Sequence, residues 1–255
     1  MKIKKIDKII DYLLSKKIKE KFIIVHSNLM PFRLNKNKAN KFVDHFVKRL
    51  EKKFTIIMPA FKFNFEKKIW NYNSTKSEMG IMTEIFRKKY SLSRTIHPFH
   101  SISFYGKNSH LIRNKISKSS FGKNSFWSWA CNRDDVLNLS LCLGIDGGAT
   151  FIHYVEELLK VPYRKFIKLK FSLFGKNDKK INFSFTYFGI KNFKKSLIIN
   201  DWKLVEKNLL RLKIMKKRRV GDYFFCHMNT KQVTQFLYKK VRKNPYYMVV
   251  KKPIH

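Results

Sequence analysis

The sequence predicts an α/β protein in which a mixed sheet lies between helices. Residues 22–58 have the pattern of strand, helix and strand, and a helix that joins two consecutive strands implies a parallel pair. Beyond residue 165, segments with alternating Lys and Phe predict further strands, followed by helices. With 255 residues and 44% hydrophobic content the chain can bury a full core, so we expect a single domain over residues 1–255.

Each element follows from the spacing of its apolar residues. Residues 3–14 and 38–50 carry apolar side chains at helical spacing. Short apolar runs at 22–25 and 54–58 are typical of buried strands. The remaining predictions are a helix at 79–89, strands at 101–105 and 136–143, a helix at 151–160, strands at 165–173 and 181–189, a helix at 201–212, an extended segment at 222–226 and a helix at 230–241.

The formal net charge of +39 raises the question of nucleic-acid binding. The lysines, however, are spread over nearly every segment, with only short clusters such as Lys216 to Arg219. The chain is also rich in Asn, Ile and Phe and poor in Ala, a joint bias typical of AT-rich codon usage. Trp127 and Trp129 alternate with serines, which favours a packed strand or loop over a base-stacking platform. We therefore expect no specific nucleic-acid partner, and a non-enzymatic basic nucleic-acid-binding module is kept as an alternative.

The sequence predicts neither a membrane segment nor a secretory signal. No run approaches the roughly 18 to 20 apolar residues of a membrane helix, and residues 1–8 lack a continuous apolar stretch. The three cysteines, Cys131, Cys142 and Cys226, are odd in number and lack metal-ligand spacing. These features predict reduced thiols, no metal and a cytoplasmic protein.

The segment from Gly147 to Glu156 carries the residues best suited to acid–base chemistry. Thr150 is placed to cap a helix, and Glu156 follows His153 by three residues on the same helix face. A helix N-terminus disfavours a second positive charge, so we expect His153 to stay neutral and able to accept a proton. Glu156 would orient the ring or hold a substrate ammonium group. The spacing alone favours the other explanation, in which Thr150 is only a helix cap and His153 only a buried, hydrogen-bonded histidine.

Four segments of the chain form an ordered set. They are VHSNL at 25–29, SEMGIMTEIFR at 77–87, SRTIHPFHS at 93–101 and TFIHYVE at 150–156, with weaker support from MPAF at 58–61 and SFGKNS at 120–125. In this order they resemble the aminoglycoside 3-N-acetyltransferase family. The resemblance covers about residues 22–165 and leaves about 166–255 as a C-terminal extension. It implies an α/β/α layered fold and transfer of an acetyl group from acetyl-CoA to an amino group on a sugar-like ring.

The resemblance also implies roles for individual residues. His153 falls on the family's general base and Glu156 on its acidic partner, and we expect Thr150 and nearby backbone N–H groups to stabilise the oxyanion. The residues expected to contact CoA are His26, Ser27, Asn28, Arg94, His100, Ser101, Phe121 and Ser125. The residues expected to contact the substrate are Glu78, Glu84 and His97. Phe126 stands where the family usually has Pro, so the loop after Ser125 departs from the family pattern.

Elementary chemistry supports the CoA contacts at two positions. Val25, His26 and Ser27 lead from the first strand into a loop at its carboxyl end, where open parallel sheets bind ligands, although this motif alone fits an ordinary strand end better. The planar guanidinium of Arg94 matches phosphate oxygens, although a solvated surface arginine explains the residue equally well.

Other candidates have two explanations each. Of His97 and His100, one ring would lie near the CoA arm or the substrate and the other would make structural hydrogen bonds. No third ligand at useful spacing supports a metal site there. Glu84 would contact the substrate or pair with Lys88 on a helix face.

The charge balance shapes the expectation for the acceptor. We expect both substrates to be bound together, because neither Cys131 nor Cys142 has a nearby motif histidine that would make it an acyl carrier. Polycationic antibiotics call for acidic surface near the pocket, whereas this chain has 17 acids against 56 bases. We therefore expect a neutral or anionic amino sugar, such as one linked to a nucleotide or a polysaccharide precursor, with antibiotic acetylation as the alternative.

Overall fold

The computed structural model of this chain describes residues 2–65, 68–91, 93–112, 117–177, 179–191 and 198–251, with side chains from Lys5 onward, and it confirms the predicted α/β class. Its helices are α1 (Lys2–Leu14), α2 (Lys36–Leu50), α3 (Ile81–Lys89), α4 (Phe126–Cys131), α5 (His153–Leu158), α6 (Trp202–Arg211) and α7 (Thr230–Lys243). Its strands are β1 (Phe22–Ser27), β2 (Thr55–Pro59), β3 (Ile69–Asn71), β4 (Ser93–Arg94), β5 (Ile102–Tyr105), β6 (Val136–Leu141), β7 (Arg164–Phe174), β8 (Lys180–Ile190), β9 (Ile198–Asn200), β10 (Met215–Val220), β11 (Tyr223–Asn229) and β12 (Val249–Lys251).

Seven strands form the central mixed sheet, in the order β10-β11-β6-β1-β2-β5-β4. Strand β1 pairs in parallel with both β2 and β6, so the predicted parallel pair with its crossover helix is confirmed. Antiparallel strands complete the sheet on both sides. The carboxyl ends of β1, β2 and β6 therefore meet at one edge, where open α/β sheets bind ligands.

The two faces of the central sheet pack against two layers of helices. In β1, Ile23 and Val25 join the core with α1, α2 and α3, whereas Phe22 and Ile24 join the core with α4 to α7. This alternation follows from the two-residue period of a strand, and it places His26 on the side of α4 to α7. The fold is therefore layered α/β/α. None of the helices in the described ranges combines the length and apolar composition that a membrane crossing requires.

A second sheet, in the order β3-β7-β8, packs beside the main one. Its buried cluster consists of Trp70, Phe171, Leu173 and Phe185. Strand β7 begins at Arg164, only a few residues after α5 ends, so the first side chain of β7 lies beside that helix.

The sequence prediction does not include helix α4 or the strands β3, β4, β9, β10 and β12, and the physical reason is clear for α4 and β10. Trp127 lies in helix α4, not in a strand or loop, because Ser125 caps the helix and the apolar residues after it pack in the core. The basic cluster from Lys216 to Arg219 forms most of edge strand β10. The side chains of this cluster are exposed on both faces of the strand, so the alternation of apolar and polar residues that predicts a strand is missing. Charged residues on an edge strand also hinder its pairing with other chains.

A glycine holds the turn after β6 close to the sheet. The Asn138 side-chain amide donates a 2.7 Å hydrogen bond to the Gly148 carbonyl. A Cβ atom on Gly148 would lie 2.1 Å from the Gly144 carbonyl oxygen and 2.8 Å from Cβ of Ser140. Any side chain at this position would therefore push the turn off the sheet, and this turn leads directly into α5.

We predict that Gly148→Ala lowers the free energy of unfolding by roughly 1 to 3 kcal/mol, because the added methyl group overpacks the turn. Gly175→Ala is the control, since its Cβ would meet no atom nearer than 3.9 Å and should change stability by less than about 0.5 kcal/mol. Urea unfolding of both variants measures the difference. Equal stability of the two variants would show that the turn accommodates a methyl group at position 148 without strain.

Candidate active site

His153 and Glu156 meet at the start of α5. Glu156 Oε2 lies 2.5 Å from Nδ1 of His153, which precedes it by one helical turn. The Glu156 side chain is fully buried, whereas the His153 side chain is 26% exposed. The pair therefore joins a buried carboxylate to a ring that reaches the surface.

Two further side chains hold the Glu156 carboxylate from the far end of α5. The Tyr163 hydroxyl donates to Oε1 at 2.7 Å, and Nε of Arg164 lies 3.0 Å from Oε2. Burial raises the pKa of the Glu156 carboxyl, but the charges of His153 and Arg164 and the hydrogen bonds from His153 and Tyr163 outweigh it and lower the pKa to about 2. Glu156 is therefore ionised at neutral pH.

The ionised carboxylate determines which ring nitrogen carries the proton. A carboxylate accepts hydrogen bonds and donates none, so the 2.5 Å contact requires a proton on Nδ1 of His153. An Arg164 guanidinium nitrogen lies 3.4 Å from the same Nδ1, a much longer contact than that of Glu156. In the neutral ring Nε2 then holds the free lone pair. The arrangement presents Nε2 as a base.

The chain enters α5 differently from the prediction. Thr150–Ile152 form a 3₁₀ turn that leads into α5, and His153 is the first residue of the α-helix. Ala149 precedes the turn, and neither helical segment has a side-chain cap, so the predicted Thr150 cap is wrong. Thr150 lies inside the helical turn, where its hydroxyl does not occupy the position from which a preceding residue caps.

A cavity of about 220 Å³ opens beside the exposed part of His153. The Trp202 ring lies 5.8 Å from the His153 ring, and the Phe121 ring lies 5.6 Å from it, both measured between centroids. The two aromatic rings confine the imidazole. The polar residues that line the cavity with His153 are Asp146, Thr150 and Asn200.

Glu157 holds the loop that carries Phe121. Its carboxylate accepts hydrogen bonds from the Ser119 hydroxyl and, at 3.3 Å, from the Phe121 backbone N–H. Burial raises the pKa of the Glu157 carboxyl. Helix α5 therefore positions both the imidazole and, through the next residue in sequence after Glu156, the aromatic ring that packs on it.

The carboxyl end of β1 borders a second cavity of about 550 Å³. The side chain of Asn28 accepts a 3.0 Å hydrogen bond from the Met30 backbone N–H and closes the turn after the strand. The residues that line the cavity include Ser27, Asn28, Met30, Arg33, Ile81 and Met82. Two residues predicted to contact CoA, Ser27 and Asn28, therefore border one cavity with apolar walls and a guanidinium group.

The profile of the aminoglycoside 3-N-acetyltransferase family matches residues 24–242. The chain belongs to this family. The family is a class of acyltransferases, as the resemblance of the four motifs implied. No protein with a curated description matches the sequence.

Solved structures of aminoglycoside acetyltransferases and related proteins have the same fold. The YokD protein from Bacillus subtilis superposes with a TM-score of 0.73 at 19% identity, covering 94% of this chain and 99% of its own. Aminoglycoside acetyltransferase AAC(3)-IVa in complex with apramycin gives 0.70 at 16% identity, covering 94% and 93%. Aminoglycoside acetyltransferase AAC(3)-Xa gives 0.76 at 13% identity, covering 93% and 92%. At these identities the likeness is one of fold.

Arg94, expected to bind a CoA phosphate, directs its guanidinium at acceptors inside the protein. It donates to the Ser101 hydroxyl at 3.0 Å and to the carbonyls of Thr75 and Ala60 at 2.7 and 2.8 Å. The guanidinium also lies 4.9 Å from the centroid of Trp70, and burial is the main reason that its pKa falls to about 9. In this geometry Arg94 and Ser101 join β4, β5 and the segment after β2, and neither lines the cavity at the end of β1.

His97 and His100 are both buried. The His100 backbone N–H donates to Nδ1 of His97 at 2.9 Å, and Nδ1 of His100 lies 2.8 Å from the Ser120 hydroxyl. Burial lowers the pKa of His97 to about 3 and that of His100 well below its usual range, so both rings are neutral. The His100 ring packs 5.0 Å from Phe121, the aromatic neighbour of His153. The Phe121 ring therefore lies between His100 and His153.

His26 and Ser125 have local roles in the fold. His26 is buried in β1, where burial lowers its pKa to about 4, and its Nε2 has no hydrogen-bond partner among the described residues. Ser125 accepts a 3.0 Å hydrogen bond from the Ser128 backbone N–H at the start of α4. The loop expected after Ser125 is therefore a helix, and Ser125 caps its N-terminus.

Glu78 and Glu84 already have cationic partners. Lys62 contacts the Glu78 carboxylate, and Arg87 donates to both oxygens of Glu84 at 2.8 Å. Lys88 lies 3.8 Å from Glu84, so the predicted helix-face pair is present alongside the stronger contact with Arg87. Neither carboxylate lines the cavity beside His153.

Sequence spacing does not identify several residues of the site, among them Tyr163, Arg164, Trp202 and Glu157. Arg164 and Trp202 contact the His153–Glu156 pair only because β7 and α6 return to it in space. Glu157 adjoins Glu156 in a chain with few acids, and that is the one signal that could have drawn attention to it.

We predict that Glu156→Ala lowers the free energy of unfolding by roughly 3 to 5 kcal/mol, because it leaves the Arg164 guanidinium buried without its carboxylate. The pKa of Glu156 in the folded protein lies below the ordinary value of 4.5, so its charge stabilises the fold above about pH 4.5. That contribution is lost as the pH falls toward 2, and Glu156→Gln removes it.

Urea unfolding of wild type and Glu156→Gln over a pH series tests the assignment. The stability difference between them should shrink as the pH falls from about 4.5 toward 2. A difference that stays constant over this range would contradict an ionised, ion-paired Glu156.

Proposed function

We propose that this protein transfers the acetyl group of acetyl-CoA to the amino group of an amino sugar, with His153 as the general base. The observation that carries the proposal is the His153–Glu156 pair, whose ring borders a cavity while its carboxylate is buried. Sugar amines are largely protonated near neutral pH, so attack on a thioester needs a base within reach of the amine.

In this proposal Nε2 of His153 takes the proton of the amine, directly or through one water. Glu156 holds Nδ1 and stabilises the positive charge that the ring gains, as the buried carboxylate of a Ser-His-Asp triad does. Tyr163 and Arg164 keep that carboxylate ionised and in place. We assign stabilisation of the oxyanion to the Thr150 turn, because Thr150 lines the same cavity as His153.

The cavity at the end of β1 has the chemistry that acetyl-CoA requires. Met30, Ile81 and Met82 offer apolar walls to the pantetheine arm, and Ser27 offers a hydroxyl to a phosphate oxygen. When bound, acetyl-CoA supplies the thioester carbonyl that the amine attacks. The parallel pairing of β1 with β6 brings this cavity and the turn that leads to His153 to the same edge of the sheet, with the cavity on the side of α3 and His153 on the side of α5.

We predict that His153→Ala lowers kcat by roughly 10²- to 10⁴-fold, because the amine loses its base. The control is His110→Ala, which removes an exposed imidazole from the turn at Ser109–Leu111 and should leave kcat unchanged. Release of free thiol from acetyl-CoA, measured with a panel of amino sugars and aminoglycosides, gives the rates.

Near wild-type turnover by His153→Ala would exclude His153 as the base. If wild type released no thiol with any amine and bound nucleic acid in a salt-sensitive manner, the alternative of a basic binding module would replace acetyl transfer.

A further inference from the structure

The small cavity beside His153 continues along α6 into a larger one of about 770 Å³. Asp146, Asn200 and Trp202 line both cavities. A substrate whose amine lies at His153 therefore has room to extend over the first turns of α6, and the charges of the larger cavity would decide which substrates do so.

Two acidic residues of the larger cavity are already engaged by the protein. Glu206 forms an ion pair with Lys217 at 3.0 Å and accepts a 2.9 Å hydrogen bond from the Ile145 backbone N–H. Asp201 caps α6 by accepting a 3.0 Å hydrogen bond from the Leu204 backbone N–H. Both carboxylates therefore already interact with groups of the protein, Glu206 with a lysine and a backbone N–H and Asp201 with the N-terminus of α6.

Asp146 is exposed where the two cavities join, and no ion pair reaches it within the described part of the chain. Lys203 and Lys207 lie one turn apart on α6, and both are exposed and line the larger cavity. The local balance is three carboxylates against three ammonium groups, namely Asp146, Asp201 and Glu206 against Lys203, Lys207 and Lys217. The cavity therefore offers no net negative charge.

This balance disfavours a polycation and favours an acceptor of mixed charge. An aminoglycoside with several ammonium groups would place at least one of them near Lys203 or Lys207, where like charges repel. A phosphate at the same position would meet two ammonium groups that can act as donors. The single amine of such a substrate would still find Asp146 and His153 at the other end.

We propose that the acceptor is a phosphate-bearing amino sugar, with its phosphate held by Lys203 and Lys207 and its amine placed between Asp146 and His153. The inference rests on the proposed acetyl transfer at His153 and adds the chemical class of the acceptor. A sugar phosphate and a nucleotide-linked amino sugar share this chemistry, so the experiment includes both.

The test compares kcat/KM for glucosamine, glucosamine 6-phosphate, UDP-glucosamine and kanamycin, measured as thiol release from acetyl-CoA. Wild type should prefer at least one of the phosphate-bearing acceptors to glucosamine by about tenfold or more, since two lysine–phosphate contacts together contribute on the order of a tenfold change in affinity. In the double variant Lys203→Gln/Lys207→Gln this preference should fall by roughly tenfold.

The matched control is Lys239→Gln/Lys243→Gln, which removes two exposed lysines at the same spacing on α7. It should keep the wild-type preference. Calorimetric titration with the preferred phosphate-bearing acceptor, without acetyl-CoA, should show weaker binding only for the Lys203/Lys207 variant.

The outcomes separate this inference from the proposed function. A preference for glucosamine 6-phosphate would identify a sugar phosphate as the source of the phosphate, and one for UDP-glucosamine would identify a nucleotide. Efficient turnover of kanamycin or glucosamine with no gain from phosphate would overturn the inference while leaving acetyl transfer intact. The same follows if the preference survives loss of both lysines. No thiol release with any acceptor would overturn the proposed function, and the inference with it.

Discussion

The buried carboxylate of Glu156 is the constraint on which the rest of the site depends. It is fully buried yet ionised, because His153, Tyr163 and Arg164 surround it with hydrogen bonds and positive charge. Those partners come from the first turn of α5 and from the beginning of β7. One charge therefore fixes the orientation of the imidazole and attaches the second sheet to the helix that carries it. Removing the carboxylate would leave the buried Arg164 guanidinium without its counter-charge.

Contacts and strands that local spacing determines are predictable from the sequence. The three-residue interval between His153 and Glu156 predicts their contact, and the pattern at 22–58 predicts the parallel strands. Contacts that depend on the path of the chain are not visible in this way. Arg164 reaches Glu156 only because β7 starts beside α5. The Thr150 cap fails because a 3₁₀ turn precedes the helix, so that Thr150 lies inside a helical turn and not before it.

The high positive charge of the chain has an identifiable structural or chemical role only at particular sites. Most lysines lie on exposed surfaces, and the basic cluster of β10 covers a sheet edge. Beside His153 the same excess of lysine matters chemically, because Lys217 neutralises Glu206 while Lys203 and Lys207 line the cavity. Family membership indicates the class of reaction, and the local balance of charge indicates which amines would be accepted. The three lysines of this balance lie on α6 and β10, outside the four ordered motifs.

The position of the proton on the His153 ring decides whether Nε2 is free to act as the base. Long-range ¹H–¹⁵N correlation spectra of protein labelled with ¹⁵N-histidine distinguish the two neutral tautomers, and loss of one signal set in His153→Gln assigns the ring. At a pH at which this ring is neutral, the account predicts a proton on Nδ1 and a free lone pair on Nε2. A neutral ring with its proton on Nε2 would show that Glu156 does not hold Nδ1 and that Nε2 is not the base.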